Sequence, residues 1–179
     1  MQMIARFIGV PWAIIGVSAL LLRAIIGLSH HAINAIDGGL TTWQWTALTL
    51  FASLMVVAEG YRGFQKKFSP RTAARIKYLR DNPTPVRVIL APLFSMGFFH
   101  ANRKTKLTAY ILTIGIICLV VAVTFFCPDP WRGIIDFGVV LGLSWGLISF
   151  WIFTLQALTN PGFSRSAETP SSQESSTER

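Results

Sequence analysis

The sequence predicts an all-α integral membrane protein with four transmembrane helices and a basic cytoplasmic loop. Of its 179 residues, 52% are hydrophobic and only 13% are charged, and the mean hydropathy is +0.51. This composition is too apolar for an ordinary soluble domain. The formal net charge of +8 comes mostly from one connection between apolar runs, so it reports membrane topology rather than a nucleic-acid-binding face.

Four apolar runs have the length that a transmembrane helix requires, about 20 residues. They cover residues 7–28, 43–60, 107–126 and 134–158, and the third contains no charged residue. The first is longer than the apolar part of a signal peptide, about 7 to 15 residues, and includes Arg23. We therefore interpret it as a retained helix.

The distribution of basic residues predicts the orientation of these helices. Segment 61–106 contains most of the 16 Lys and Arg residues, whereas connection 29–42 contains none and connection 127–133 contains only Arg132. The positive-inside rule then places the long loop and both termini in the cytoplasm, as expected for a bacterial inner membrane protein.

A shorter apolar run, 88–99, interrupts the basic loop. Its 12 residues extend only about 18 Å as a helix, and Pro92 and Gly97 interrupt it. If it crossed the membrane, the basic residues that follow would lie outside. We expect an interfacial or shallow re-entrant segment on the cytoplasmic side.

The basic loop also has the signals of an amphipathic helix. Ser69 is a candidate N-cap, Pro70 occupies the first helical position, and Pro83 follows the end. Such a helix suits the surface of an anionic leaflet. The alternatives are that the charges only enforce topology, or that they bind a protein or nucleic-acid partner. The residues predicted to contact lipid are Lys66, Lys67, Arg71, Arg75, Lys77 and Arg80.

The transmembrane domain is expected to cover residues 1–159, and the remaining 160–179 form a cytoplasmic tail. This tail is rich in Ser, Thr, Glu and Pro and has almost no apolar residue. Such a composition predicts disorder.

Charged residues inside apolar runs are the first functional candidates. Asp136 lies in the second turn of the fourth helix, with Arg132 four residues earlier on the same face. Arg23 of the first helix approaches the same leaflet, so we expect Arg23, Arg132 and Asp136 to form a structural charge pair that joins the two helices. The alternative is a proton or ion relay through Asp136. Glu59, at the cytoplasmic end of the second helix, is expected to pair with Arg62.

Small residues form a strip on the fourth helix. At about 100° per residue, glycines spaced by four stay on one face, which lets another helix backbone approach closely. The strip consists of Gly138, Gly142, Gly146 and Ser149. Asp136 points about 120° away from it, so strip and acid are expected to face different neighbours. A nucleotide site is excluded because no strand and turn precede these glycines.

The sequence predicts no catalytic, metal or cofactor site. His30 and His31 are adjacent and could bind one ion together only in an irregular loop, with Asp37 nearby but no third histidine. Cys118 and Cys127 form neither a disulfide framework nor a zinc pattern. No serine is predicted to share a depth with a histidine, except Ser95 near His100.

We therefore expect a non-enzymatic accessory, assembly or scaffold subunit. Its expected partners are anionic lipid at the cytoplasmic face and another membrane protein or a second copy, with no nucleic acid. The alternative is a small oligomeric transporter or channel subunit that uses segment 88–99 and Asp136. An enzyme acting on lipid is a third hypothesis, weakened by the lack of paired acid and base groups.

Overall fold

A computed structural model describes residues 2–163 and 165–169 of the chain. This part contains helices and no strand. The elements are α1 (Gln2–Asp37), α2 (Thr42–Met55), a π-helical segment (Val56–Phe68), α3 (Ser69–Asp81), α4 (Pro85–Ile89), α5 (Ala91–Met96), α6 (Arg103–Phe126) and α7 (Trp131–Thr159). Within the described residues, three helices are long and apolar enough to cross a membrane: Phe7–Asp37 of α1, α6 and α7.

Helix α1 is longer than the sequence indicates. It continues to Asp37, so His30 and His31 are helical and only a short turn leads to α2. The side chain of Thr41 accepts from the backbone N–H of Gln44 at the start of α2, and the Gln44 side chain accepts from the Thr41 backbone N–H. This reciprocal pair fixes where α2 begins.

The predicted second transmembrane helix and the predicted cytoplasmic helix form one continuous helical run. Helix α2 passes directly into the π-helical segment and then into α3, because the backbone at the two junctions keeps right-handed helical angles. Ser69 is therefore not a free N-cap, since it lies within this run and is buried. We call residues 42–81 the composite helix.

Helix α7 is the central element of the bundle. It packs against α1, α2, the π-helical segment and α3. The apolar core lies where the first half of α1, α3, α5 and the second half of α7 meet. Its fully or nearly fully buried members are Ala13, Val17, Ile76, Leu79, Ala91, Phe94 and Phe150.

Segment 88–99 contains the last residues of α4, the whole of α5 and the turn that follows. These two short helices pack against α1, and α5 also packs against α3. Ala91, Phe94 and Ser95 are buried, and the indole Nε1–H of Trp12 donates to the carbonyl of Ile89 at 3.0 Å. Gly97 ends α5 with a φ of 95°, a left-handed conformation that glycine adopts without strain.

Helix α6 stands apart from the bundle along most of its length. Thr105 and Ala109, near its start, are its only buried residues. The ring of Tyr110 meets that of Phe98 edge to face at 5.4 Å. Beyond that point apolar side chains are exposed, among them Ile111, Leu112, Ile114, Ile116, Ile117, Leu119, Val120, Val121, Phe125 and Phe126.

Part of the expected disordered tail is folded against the bundle. The backbone N–H of Asn102 donates to the carbonyl of Glu168 at 2.9 Å, and the side chains of Thr105 and Glu168 are hydrogen-bonded. Thr169 is buried. Two backbone carbonyls of residues 165–169 are thus paired, that of Glu168 with the start of α6 and that of Ala167 with Arg75 of α3. The predicted disorder of the tail stays a prediction. Residues 164 and 170–179 lie outside the described residues.

Candidate functional site: charged and small residues within the helix bundle

The glycine strip of α7 is filled by the chain's own composite helix. A Cβ at Gly138 would lie 2.6 Å from the Phe51 ring, and one at Gly146 would lie 2.5 Å from the Phe64 ring. At Gly142 it would lie 3.0 Å from Oε2 of Glu59. Ser149, on the same strip, is also buried. The strip therefore serves close packing within one molecule.

Glu59 lies at the centre of this contact. Its side chain is partly buried, and the structure gives it no hydrogen bond or ion pair among the described residues. The expected pair with Arg62 does not form, and Arg62 is exposed. A π-helix bonds from residue i to i+5 and has a wider turn than an α-helix, so residues three apart no longer share a face.

A charge cluster joins the start of α7 to the end of α1. Nε of Arg132 lies 3.8 Å from Oδ2 of Asp136, and Nη2 of Arg132 lies 3.0 Å from Nε2 of His31. Asp136 is 5% exposed, and its Oδ2 has no hydrogen bond. A Cβ at Gly133 would lie 2.5 Å from the carbonyl oxygen of His31 and would overlap the Cβ of Ala35. The two helices are therefore in close contact at this cluster.

Arg23 is not part of the cluster, contrary to the sequence-based prediction. Its side chain is exposed, and no ion pair or hydrogen bond joins it to another described residue. Because α1 stays helical up to Asp37, the residue level with Asp136 is His31, about 12 Å further along the axis than Arg23. His31 thus occupies the position that the sequence assigns to Arg23.

Arg75 has the most restricted environment of any charged group in the described chain. Its side chain is 0% exposed. Its guanidinium donates to four backbone carbonyls, those of Phe94 at 2.6 Å, Ala167 at 2.9 Å, Phe99 at 2.8 Å and His100 at 3.1 Å. The Phe94 ring lies 4.3 Å from the guanidinium carbon, which adds a cation–π contact.

Burial lowers the pKa of Arg75 to about 10, with nearby Arg71 acting in the same direction. The group therefore remains charged at neutral pH. The prediction that Arg75 faces a lipid surface is wrong. Helix α3 contacts α1, α5 and α7, so its buried residues include Ala73, Ala74 and Arg75 as well as Thr72, Ile76 and Leu79.

Other basic residues of α3 bind the end of α7. Nζ of Lys77 donates to the carbonyls of Asn160 at 3.3 Å and Pro161 at 3.1 Å, and Nη1 of Arg80 donates to Leu158 at 3.0 Å. The last carbonyls of a helix lack partners within the helix and carry partial negative charge, so cations stabilise them. Lys66 and Lys67 are exposed, whereas Arg71 is partly buried.

Two open cavities accompany these groups. A cavity of about 380 Å³ lies at the end of the bundle that contains Arg132 and Asp136, and its lining includes Asn34, Gly38, Gly39, Gln44 and Asp129. An apolar groove of about 420 Å³ runs between α2 and α7, lined by residues that include Leu48, Ala52, Val56, Phe137 and Leu141. Among the described residues, no three His, Cys, Asp or Glu side chains are grouped as metal ligands.

Comparison with models of protein families, with curated proteins and with solved structures gives no match to this chain.

Proposed function

We propose that this chain is a non-enzymatic accessory, assembly or scaffold subunit that binds a transmembrane helix of another membrane protein through α6. The observation that supports this proposal is the separation of α6 from a bundle that is otherwise packed together. The glycine strip of α7 is filled by the composite helix, so it has no free face for a partner. Of the three described helices that are long and apolar enough to cross a membrane, α6 is the one least buried by the rest of the chain.

The surface of α6 has features that favour a helix rather than lipid alone. Gly115, Cys118 and Ala122 lie within about 60° of each other around the helix axis. A Cβ at Gly115 would meet nothing within 4 Å. Glycine weakens a helix by about 1 kcal/mol relative to alanine, whereas small residues permit close helix packing in lipid. A glycine that serves no contact within the chain therefore supports a contact with a partner helix.

The proposal includes a topology of four membrane crossings in a bacterial inner membrane with both termini in the cytoplasm. The second crossing is formed by α2 together with the first residues of the π-helical segment. The exposed Lys66 and Lys67 follow this crossing, where they are placed to contact anionic lipid. The buried Arg75 is not part of that contact.

The decisive experiment compares two substitutions on opposite faces of α6. In the full-length chain, Gly115→Leu is expected to abolish co-purification of the partner in mild detergent. Ile117→Leu, about 200° away around the helix, is expected to retain it. Quantitative mass spectrometry of the purified material measures both. Equal recovery with both variants, or a protein that purifies alone, would overturn the proposal.

The exposed thiol of Cys118 provides a check on self-association. If α6 binds a second copy instead of a different protein, mild oxidation in the membrane will join two chains through Cys118, and Cys118→Ser will prevent it. We expect no such crosslink. Efficient crosslinking would show that α6 binds a second copy of this chain and not a different protein.

The alternative function is a transporter or channel subunit that uses Asp136 and segment 88–99. One observation favours it, namely that Oδ2 of Asp136 is buried without a hydrogen bond. Purified protein in proteoliposomes is the test. A proton or ion flux that Asp136→Asn abolishes while the fold is retained would contradict the scaffold function.

A further inference from the structure

The contact between Arg132 and His31 defines the protonation state of the histidine. A guanidinium has only N–H donors and no acceptor. The 3.0 Å contact from Nη2 of Arg132 to Nε2 of His31 therefore requires an unprotonated Nε2. An imidazole that accepts a hydrogen bond through Nε2 is neutral when its single proton is on Nδ1.

A second acceptor for a protonated histidine lies in the same cluster. Oδ2 of Asp136 is buried and makes no hydrogen bond, and its ion pair with Arg132 is long, at 3.8 Å. Asp136 also interacts electrostatically with His31. A protonated His31 would lose its acceptor lone pair, repel Arg132 and be attracted to Asp136.

We propose that His31 is a pH-sensitive switch at the contact between α1 and α7. When His31 is neutral, it accepts a hydrogen bond from Arg132. When His31 is protonated, it donates to Asp136 and releases Arg132, which is already partly exposed, toward water. Histidine is the side chain whose charge changes between about pH 5 and 8. The inference is independent of the partner proposed for α6.

The titratable groups near His31 come from α7, from the connection before it and from α1 itself. Helix α7 contributes Arg132 and Asp136, and the connection before it contributes Asp129, which also acts on Asp136. Helix α1 itself carries His30 and Asp37, and α2 carries no titratable side chain.

The switch is coupled to helix packing because the backbones of α1 and α7 are in contact at His31 and Gly133. Gly133 fits directly against the carbonyl oxygen of His31 and against Ala35. Ala35 also lines the open cavity between α1, α2 and the start of α7. A rearrangement of the cluster therefore changes the end of the bundle and the wall of that cavity.

The first test is solid-state NMR of the full-length protein in phospholipid vesicles with ¹⁵N-labelled histidine and arginine. At pH 8, His31 is expected to show the tautomer protonated at Nδ1. On acidification to pH 5, its ring is expected to become cationic, and the side-chain signals of Arg132 are expected to shift in the same step. Neutral His31 protonated at Nε2, or Arg132 signals that do not change with it, would overturn the proposal.

The second test uses matched substitutions of adjacent histidines. The melting temperature of the wild-type protein is expected to differ between pH 8 and pH 5. In His31→Gln this difference is expected to become smaller, because glutamine accepts a hydrogen bond from Arg132 at every pH. His30→Gln, on the exposed neighbour, is expected to retain it. An identical pH response in both variants would contradict the switch. If His31→Gln does not fold, the NMR titration of His31 in the otherwise native protein is the deciding test. The substitutions His30→Gln and His100→Asn then remove the signals of the other two histidines.

Discussion

Arg75 illustrates how a buried charge is stabilised without a directly paired carboxylate. Its guanidinium is held by carbonyls from the end of α5 and from the tail. Each hydrogen bond to a charged group contributes about 1.5 to 3 kcal/mol, which offsets the cost of removing the charge from water. One residue thus connects α3, the turn before α6 and the tail.

We predict that Arg75→Lys destabilises the protein by about 3 kcal/mol or more. Lysine keeps the charge, but its single ammonium group cannot reach the carbonyls of both Phe94 and Ala167 with the geometry of a guanidinium. Denaturant unfolding in detergent, followed by circular dichroism, measures the change. Lys66→Met, at an exposed position, is the control and should stay within about 0.5 kcal/mol. Similar stability for Arg75→Lys and the wild type would show that the carbonyl contacts contribute little.

Spacing along one helix could be read from the sequence, but contacts between helices could not. Arg132 and Asp136 are four residues apart, and the structure places them 3.8 Å apart. His31 was missed because its depth depends on how far α1 continues, and no capping signal gives that length. The burial of Arg75 was missed because the width of a buried face depends on how many neighbouring elements cover the helix. The two alanines before it, Ala73 and Ala74, were the available signal for a wider buried face.

At the scale of elements, the contact between α7 and the composite helix depends on small residues meeting aromatic rings. The aromatic rings of Phe51 and Phe64 lie against Gly138 and Gly146. In the opposite direction, the side chain of Trp145 lies against Gly60, and its indole Nε1–H donates to Gln65 at 2.8 Å. The strip could be predicted from its spacing. Its occupant could not, because the π-helical segment alters which residues of the composite helix share a face.

Two glycine substitutions should separate packing inside the bundle from the exposed surface of α6. Gly146→Ala is expected to destabilise the protein by about 1 to 3 kcal/mol, since its methyl group would displace the Phe64 ring. Gly115→Ala is the matched control, since nothing lies within 4 Å of its new Cβ, and it should leave stability unchanged or raise it by up to about 1 kcal/mol. Thermal unfolding in detergent measures both. A loss of stability with Gly115→Ala and none with Gly146→Ala would show that α6, and not the glycine strip of α7, is packed inside the bundle.

For the whole molecule, reporter fusions test the proposed orientation. A reporter placed after Thr159, at the end of α7, is expected in the cytoplasm. A reporter inserted after Gly39, in the turn between α1 and α2, is expected on the outer side. Both expectations follow from the positive-inside rule, which predicts that the basic segment 61–106 is cytoplasmic. Two reporters on the same side would show that an even number of crossings, and not the proposed three, lies between Gly39 and Thr159.

The all-helical character of the described chain could be predicted from hydropathy alone, because length and apolar content decide whether a helix can cross a membrane. The arrangement of the helices could not. The second apolar run becomes part of a composite helix, and residues 165–169 pack at the start of α6. Both features depend on tertiary contacts that short-range patterns do not encode.

The central position of α7 has a consequence for the synthesis of the protein. The helices that pack against α7 all precede it in the chain, so they emerge from the ribosome before the surface that joins them. Until α7 enters the membrane, Phe51, Phe64 and His31 lack the backbone against which they pack. The bundle therefore closes in a late step, and α1 and the composite helix must keep their contact surfaces for α7 uncovered until that step occurs.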